Sequence, residues 1–386
     1  MKAWPKVALG ELLRRSDESA VIDPAAEYHE VTIKLWGKGV ISRGKVSGSD
    51  VVSVRRVVRA NQLILSKIDA RNGAIGIVPP ELDGALVSND FPSFEFRDPN
   101  QCDAAFMGWL VRSAPFVELC KAASEGTTNR VRIKEDRFLD QRIALPSLPE
   151  QQALVARLDA LSHKIRQVEA HLDAVECHVE HLLALRFRDV IAGAPMRPMA
   201  EVAPLVRREQ SIDLNGSYPE LGIRSFGKGT FHKPALSGGD VGTKRLYRIE
   251  PGDLLFSNVF AWEGAIAIAL QKDAGRFGSH RFITCQANLE LTTPEFLRYY
   301  FLTDEGMLKI GEASPGGAGR NRTLGLEKLM AIDVPTPLLA TQQTFDRLQS
   351  EVGALKTKHI AIREANAALL PATLERVFAT DGPGEA

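Results

Sequence analysis

Residues 147–193 read SLPEQQALVARLDALSHKIRQVEAHLDAVECHVEHLLALRFRDVIAG. Apolar side chains fall at Leu154, Leu158, Leu161, Ile165, Val168, Leu172, Val175, Val179 and Leu182. The steps alternate four and three, which is the heptad seam of a coiled coil. Ser147-Leu148-Pro149-Glu150 has the pattern of a capping box with proline in the first turn, and Gly193 and Pro195 end the run. The spacing predicts one long helix over 148–193. A second stretch keeps the same rhythm at Phe345, Leu348, Val352, Leu355, His359, Ile362, Asn366 and Leu369. It opens at Thr336-Pro337 and predicts a helix over 338–379, with a frayed tail at 380–386. His359 and Asn366 are polar positions on this seam. Such residues weaken a coiled coil but fix its register and partner. The plainer reading is a slightly exposed end of an ordinary helix.

Each helix closes one copy of a larger repeat. Shifted by about 190 positions, Tyr28 falls on Tyr218 and Gly37-Lys38-Gly39 falls on Gly227-Lys228-Gly229. Further on, Leu63-Ile64-Leu65-Ser66 falls on Leu254-Leu255-Phe256-Ser257, Gly73 on Gly264, and Asn129-Arg130 on Asn321-Arg322. Gln151-Gln152 falls on Gln342-Gln343. Chance matches would not stay collinear over half a chain. The part before each helix, 1–147 and 194–337, is mixed. It has short β-like runs such as Gln62 to Ser66 and Ala74 to Val78, glycine punctuation, and helical stretches at Ala104 to Ala122 and Pro294 to Met307. The expected fold class is α+β, with two mixed α/β domains and two long helices in a tandem duplication.

The chain has 386 residues, roughly two or three average domains. Lys and Arg number 48, as do Asp and Glu; 44% of residues are hydrophobic and 25% charged. This excludes a disordered chain, a collagen-like chain and a strongly cationic nucleic-acid coat. Cys102, Cys120, Cys177 and Cys285 form no C-x-x-C, so neither a structural zinc site nor a redox pair is expected. No signal-peptide pattern follows Met1, and the apolar stretch near Gly264 to Leu270 is too short to span a bilayer. A cytoplasmic location, away from membranes, is the expectation.

Neutral overall charge hides a local bias. From Val31 to Gly73 there are nine basic residues (Lys34, Lys38, Arg43, Lys45, Arg55, Arg56, Arg59, Lys67, Arg71) against Asp50 and Asp69. From Gly222 to Arg248 there are six (Arg224, Lys228, Lys233, Lys244, Arg245, Arg248) against Asp240. A basic run alone is usually a solvated face. The same bias at the same place in both copies points to DNA phosphates. The turn Ser66-Lys67-Ile68-Asp69-Ala70-Arg71-Asn72-Gly73 pairs with Ser257-Asn258-Val259-Phe260-Ala261-Trp262-Glu263-Gly264. The flanks agree and the tips differ, as expected if two copies of one scaffold read two sequences. Asn89-Asp90 and His280-Arg281 diverge in the same way. Just before each helix comes a polar loop, with Thr127, Thr128, Asn129, Arg130 and Arg132 in the first copy and Arg320, Asn321 and Arg322 in the second. Hydroxyls, main-chain N–H groups and arginines suit phosphate oxygens, and Asn or Arg can also reach base edges. The candidate DNA contacts therefore include Asn72 and Asn89 in one copy and Asn258, Glu263 and Arg281 in the other.

No catalytic signature accompanies them. There is no G-x-x-x-x-G-K-[ST] phosphate loop, no Asn-Pro-Pro-aromatic run, no F-x-G-x-G cofactor loop and no Asp…Glu-x-Lys nuclease triplet. His163, His171, His178 and His181 lie on the first long helix, mainly off its seam, and read as solvated surface and not as a metal site.

Gly126-Thr127-Thr128-Asn129-Arg130, then Leu145-Pro146-Ser147-Leu148-Pro149-Glu150-Gln151-Gln152, then a heptad helix resembles the specificity (S) subunit of type I restriction-modification systems. The second copy is similar at Val334-Pro335-Thr336-Pro337, Gln342-Gln343 and Leu369-Leu370-Pro371-Ala372. It departs at Ala340-Thr341, where an acidic residue often precedes the Gln pair, and at Gly316 to Gly319, which replace Gly-Thr-Thr. The resemblance covers nearly the whole chain. It implies that each mixed domain is a target recognition domain reading half of a split sequence in double-stranded DNA, with the long helices packed antiparallel as a spacer. It implies two methyltransferase (M) subunits and possibly two motor-nuclease (R) subunits as partners. S-adenosylmethionine and ATP with Mg belong to those partners, and this chain has no cofactor or catalytic residue of its own. Two other classes fit the sequence less well: a stand-alone DNA methyltransferase or nuclease with unfamiliar motifs, and a coiled-coil scaffold without DNA contact.

Overall fold

A computed structural model describes residues 4–51, 55–126, 131–316 and 322–379. The chain divides into two compact units, Met1–Asp173 with His359–Ala386, and Ala174–Lys358. The expected long helices are present, at Leu148–Ile191 and Leu339–Phe378. Each begins in one unit and ends in the other, so each unit holds one mixed domain and a portion of both helices.

In the first unit a four-stranded antiparallel sheet runs Leu13–Ser16, Ser93–Phe96, Leu63–Leu65, Ile75–Ile77. A second sheet runs Val40–Ser47, Glu27–Ile33, Leu86–Val87, Arg56–Val57, with one parallel pairing at Glu30 and Leu86. Phe94, Phe106, Phe116 and Phe138 fill the main core. Leu158 enters it from the first long helix, and Leu374 and Phe378 from the second; the Phe106 and Phe378 rings meet edge-on at 5.8 Å. The expected helical stretch Ala104 to Ala122 is two helices, Ala104–Leu110 and Ala114–Ala122, because Ser113 caps the second one on the Phe116 N–H.

The second unit repeats this plan. Its sheets run Thr230–Ser237, Ser217–Ile223, Phe277–Ser279, Leu246–Arg248, and Ile266–Ile268, Leu254–Ser257, Phe282–Cys285. The parallel pairing recurs at Glu220 and Phe277, and the irregularity of the long hairpin falls at Glu30/Val31 in one unit and Pro219/Leu221 in the other. Tyr28 and Tyr218 each accept a hydrogen bond on the hydroxyl, from the N–H groups of Asp23 and Asp213. The duplication read from the sequence is thus present down to single hydrogen bonds. Phe187 of the first long helix stacks against Phe296, Tyr299 and Phe345 at 4.7–5.3 Å, which ties both helices to this domain's core. The stretch Pro294 to Met307 is again two helices, Pro294–Phe301 and Asp304–Glu312, the second capped by Thr303.

The helix starts carry the repeated Gln pair. One half of the expected capping box is present: the Ser147 N–H donates to the Glu150 carboxylate at 2.9 Å, while the Ser147 hydroxyl donates to the same carboxylate at 2.6 Å and does not accept from the Glu150 N–H. Gln151 is fully buried, donates from Nε2 to the carbonyls of Gln101 and Pro146, and accepts from the Asp103 N–H, each at 2.9 Å. Gln342 does the same with the carbonyls of Leu291 and Pro337, and accepts from Thr292 and Thr293. The first glutamine of each pair therefore pins the helix start to a loop of its own domain.

The seam departs from strict heptads. Leu182 is 63% exposed, whereas Leu183 packs on the core of the second unit and Phe187 is buried in it. Ile362 and Leu369 are exposed, whereas His359 and Asn366 are buried. A straight α-helix drifts about 20° per heptad, which accounts for the shift. Within the first unit, Asn366 donates to the Ile165 carbonyl at 3.2 Å and to Glu169 at 2.8 Å. Arg363 bridges Glu169 and Asp173. The order of these contacts makes the helices antiparallel there, and in the second unit Lys356 pairs with Glu180 in the same sense. Cys102, Cys120 and Cys285 are free and buried; burial pushes their thiols up to about 12, so they serve as apolar packing.

Candidate nucleic-acid interface

The divergent turns sit on a shared backbone frame. In the first unit the strand Leu63–Leu65 leads into the turn 66–73, which ends in Gly73 at φ 76. That left-handed conformation suits glycine, and Gly264 has the same φ of 76 in the second unit. The loop 34–39 lies over this turn. Trp36 N–H donates to the Asn72 carbonyl and Gly37 N–H to the Gly73 carbonyl, both at 3.0 Å. On the other side, Lys67 N–H donates to the Asp90 carbonyl and Ile133 N–H to the Lys67 carbonyl, both at 2.8 Å. The second unit repeats all four bonds, from Phe226 to Glu263, Gly227 to Gly264, Asn258 to Arg281 and Leu324 to Asn258, each at 2.8 Å.

This frame brings together residues that the sequence could only place on separate segments. Lys38, Lys67, Arg71, Asn72 and Arg132 share one cluster in the first unit, and Lys228, Asn258, Glu263, Arg281 and Arg322 share one in the second. The side chains at matching positions differ in kind: Lys67 against Asn258, Arg71 against Trp262, Asn72 against Glu263, Asp90 against Arg281. Arg322 lies over the Trp262 ring at 5.3 Å. Thr127, Thr128, Asn129, Arg130, Arg320 and Asn321 lie outside the described residues.

The structure sorts the basic run of the first unit. Lys45 pairs with Glu27, Arg55 with Glu30, Arg56 with Asp17, Arg59 with Glu18, and Lys67 with Glu135. Hydrogen bonds from Arg56 and Arg59 hold the Asp17 and Glu18 carboxyls below their usual range. Lys34, Lys38, Arg43 and Arg71 have no carboxylate within ion-pair reach among the described residues. Arg132 pairs with Asp90, and Asn89 accepts from Arg56 at 2.9 Å. Asn72 donates to Asp69 at 3.3 Å. In the second unit Arg245 and Arg248 face Glu209 and Glu250, whereas Lys228, Lys233, Lys244 and Arg281 are exposed with no carboxylate in reach among the described residues. Arg224 is exposed and donates to the Thr230 carbonyl at 3.0 Å, and Glu263 accepts from Ser225. The free cations therefore gather along 34–43 and 228–244, with Arg71 and Arg281 at the turns.

Two residues of the cluster were not singled out by the sequence. Trp36 and Phe226 occupy matching places, are 70% and 75% exposed, and have φ of 62 and 60. A bulky residue in this backbone region costs about 1–3 kcal/mol. The only signal in the sequence was an aromatic residue before the repeated Gly-Lys-Gly. Nothing there tells the sign of φ.

Among the described residues no group of His, Cys, Asp and Glu is arranged to hold a metal, and no helix is long and apolar enough to cross a membrane. The architecture defines a class: duplicated α+β units, each with a loop cluster of common backbone and divergent side chains, linked by two long helices. No protein-family model and no curated protein matches the chain. The HsdS subunit from Thermoanaerobacter tengcongensis matches it with a TM-score of 0.65 at 20% identity, over 99% of this chain and 98% of that one. A chain from a structure concerned with complex assembly and conformational transition of the type I R-M system matches with a TM-score of 0.68 at 20% identity, over 99% of both. The chain has the fold of the type I restriction-modification specificity (S) subunit, as the resemblance implied.

Replacing Lys38 or Lys228 with Ala is expected to weaken binding by a similar factor on every DNA sequence. Each lost phosphate contact lowers the slope of log affinity against log salt by about 0.9. A titration across salt concentrations on specific and unrelated duplexes measures both effects.

Proposed function

We propose that this chain is the DNA-recognition subunit of a type I restriction-modification complex. Each mixed domain reads one half of a bipartite target in the major groove. Two M subunits dock on the domains and long helices and direct methyl transfer from S-adenosylmethionine to adenine. Where R subunits join the complex, two of them, with ATP and Mg, would restrict unmodified DNA. The chain itself carries no catalytic group, and it acts in the cytoplasm. The proposed division is a target recognition domain at 1–147, a spacer helix at 148–193, a second recognition domain at 194–337 and a second spacer helix at 338–379.

One observation carries this reading. The two loop clusters keep the same backbone hydrogen bonds and present different side chains, which is what two readers of two different half-sites require. An enzyme would need one constellation of reacting groups, and a scaffold would have no use for free cations at the matching positions Lys38 and Lys228. Purified alone, the chain is expected neither to methylate nor to cleave DNA. Co-expressed with its methyltransferase, it is expected to form a complex with two M subunits per chain, measured by mass and by methyl transfer. Methyl transfer by the isolated chain would contradict the proposal.

A further inference from the structure

We propose that Trp36 and Phe226 are apolar wedges, one in each half-site, that stack on a base and open the DNA at that step. The inference rests on the recognition reading above and adds a contact that reads no sequence.

Both rings are exposed, so neither adds to a core, and both stand on a left-handed backbone that a bulky side chain adopts at a cost. Glycine or asparagine would make the same turn more easily. The aromatic therefore answers to something outside the chain. The frame fixes the backbone that carries it: the N–H of each aromatic residue, and that of the glycine after it, are bonded to the turn below, so both rings project from the same place in their units.

The setting points to a base as the occupant. In sequence a cation stands two residues before and two after each ring, Lys34 and Lys38 about Trp36 and Arg224 and Lys228 about Phe226; the Lys228 ammonium is 5.8 Å from the Phe226 ring centre, while Arg224 lies over the Phe231 ring. A cation beside an exposed ring matches a phosphate beside a base. Around these two positions the side chains diverge, with Asn72 against Glu263 and Asp90 against Arg281, yet the aromatic character stays. Contacts to base edges must differ between two readers. Stacking need not, because every base has a π-face. Apolar side chains pushed between base pairs unstack the step and kink the duplex, and an enzyme that acts on a base must take it out of the stack. A wedge on the reader would lower the cost of that step for a partner methyltransferase.

The test uses the complex of this chain with its methyltransferase and duplexes carrying the target found by methylome sequencing. 2-Aminopurine is placed in turn at each position of both half-sites. With the native chain, fluorescence is expected to rise at one step in each half. Trp36→Ala is expected to abolish the rise in the first half only, and Phe226→Ala in the second only. Each is expected to weaken binding to the target by roughly 5- to 150-fold, as for loss of one stacked base, with the salt slope unchanged. Trp36→Phe and Phe226→Trp are expected to keep both signals. Unchanged fluorescence and affinity in the Ala variants would overturn the proposal. So would loss of the methyltransferase subunits from those variants, which would make the rings protein contacts. Failure of the native complex to prefer the target at all would instead count against the recognition reading.

Discussion

One extra heptad in each long helix is expected to move the two halves of the methylated sequence apart by about three base pairs while leaving their bases unchanged. The helix Leu148–Ile191 begins in one unit and ends in the other, and so does Leu339–Phe378. Seven residues added between Ala160 and Glu176 lengthen that path by roughly 10 Å at about 1.5 Å per residue, and a whole heptad nearly preserves the seam. DNA rises about 3.4 Å per base pair along each strand. The second helix needs a matching insertion between Val352 and Ile362, because the helices are antiparallel in each unit and their contacts would otherwise fall out of register. A three-residue insertion rotates the seam away from its partner and is expected to abolish binding. Sequencing the methylated motif of each variant measures the gap. An unchanged gap in an active double-insertion variant would reduce the helices to docking surfaces.

Gln151→Leu and Gln342→Leu are expected to give the largest losses of stability from a single substitution. Each glutamine satisfies a buried carbonyl five residues before it, and a part-buried carbonyl and at least one N–H on a loop about 50 residues away in sequence. Leucine fills similar space and offers no partner. A buried polar group left unpaired costs about 1–3 kcal/mol, so three of them cost roughly 3 kcal/mol or more. For a unit of this size each kcal/mol lowers the melting temperature by about 2–4 °C. A fall of about 6–12 °C follows, measurable by scanning calorimetry. Gln152 and Gln343 are exposed, so Gln152→Leu and Gln343→Leu are expected to change stability by less than about 0.5 kcal/mol. Equal losses from both members of a pair would show that the buried network is not the cause.

These two cases show what the sequence makes legible. The helices and the duplication could be read because periodicity and collinear matches are properties of the residue order itself. Where the seam finally runs could not. Leu182 and Leu183 are equally apolar, and only the accumulated twist of a long helix decides that Leu183 packs on the core while Leu182 stays 63% exposed. The Gln pair was visible as a repeat, but its role depends on Gln101, Asp103, Leu291 and Thr293, which only the fold brings close. The basic run shows the same limit. Arg59 and Lys67 look alike in sequence with Lys34 and Lys38, yet Glu18 and Glu135 arrive from distant segments to pair with the first two and leave the others free. The divergent tips were legible as a difference between copies. That they stand on identical hydrogen bonds, with Trp36 and Phe226 beside them, is a fact of the backbone.

Each unit is proposed to read its own half of one target. Methylome sequencing of cells carrying the chain with Arg71→Ala, Asn72→Ala or Asn89→Ala, and separately with Asn258→Ala, Glu263→Ala or Arg281→Ala, tests it most directly. Each change in the first group is expected to relax or alter one half-site only and each in the second group the other half only, with about 1–3 kcal/mol lost for each base contact removed. A substitution in one unit that altered both halves equally would contradict it.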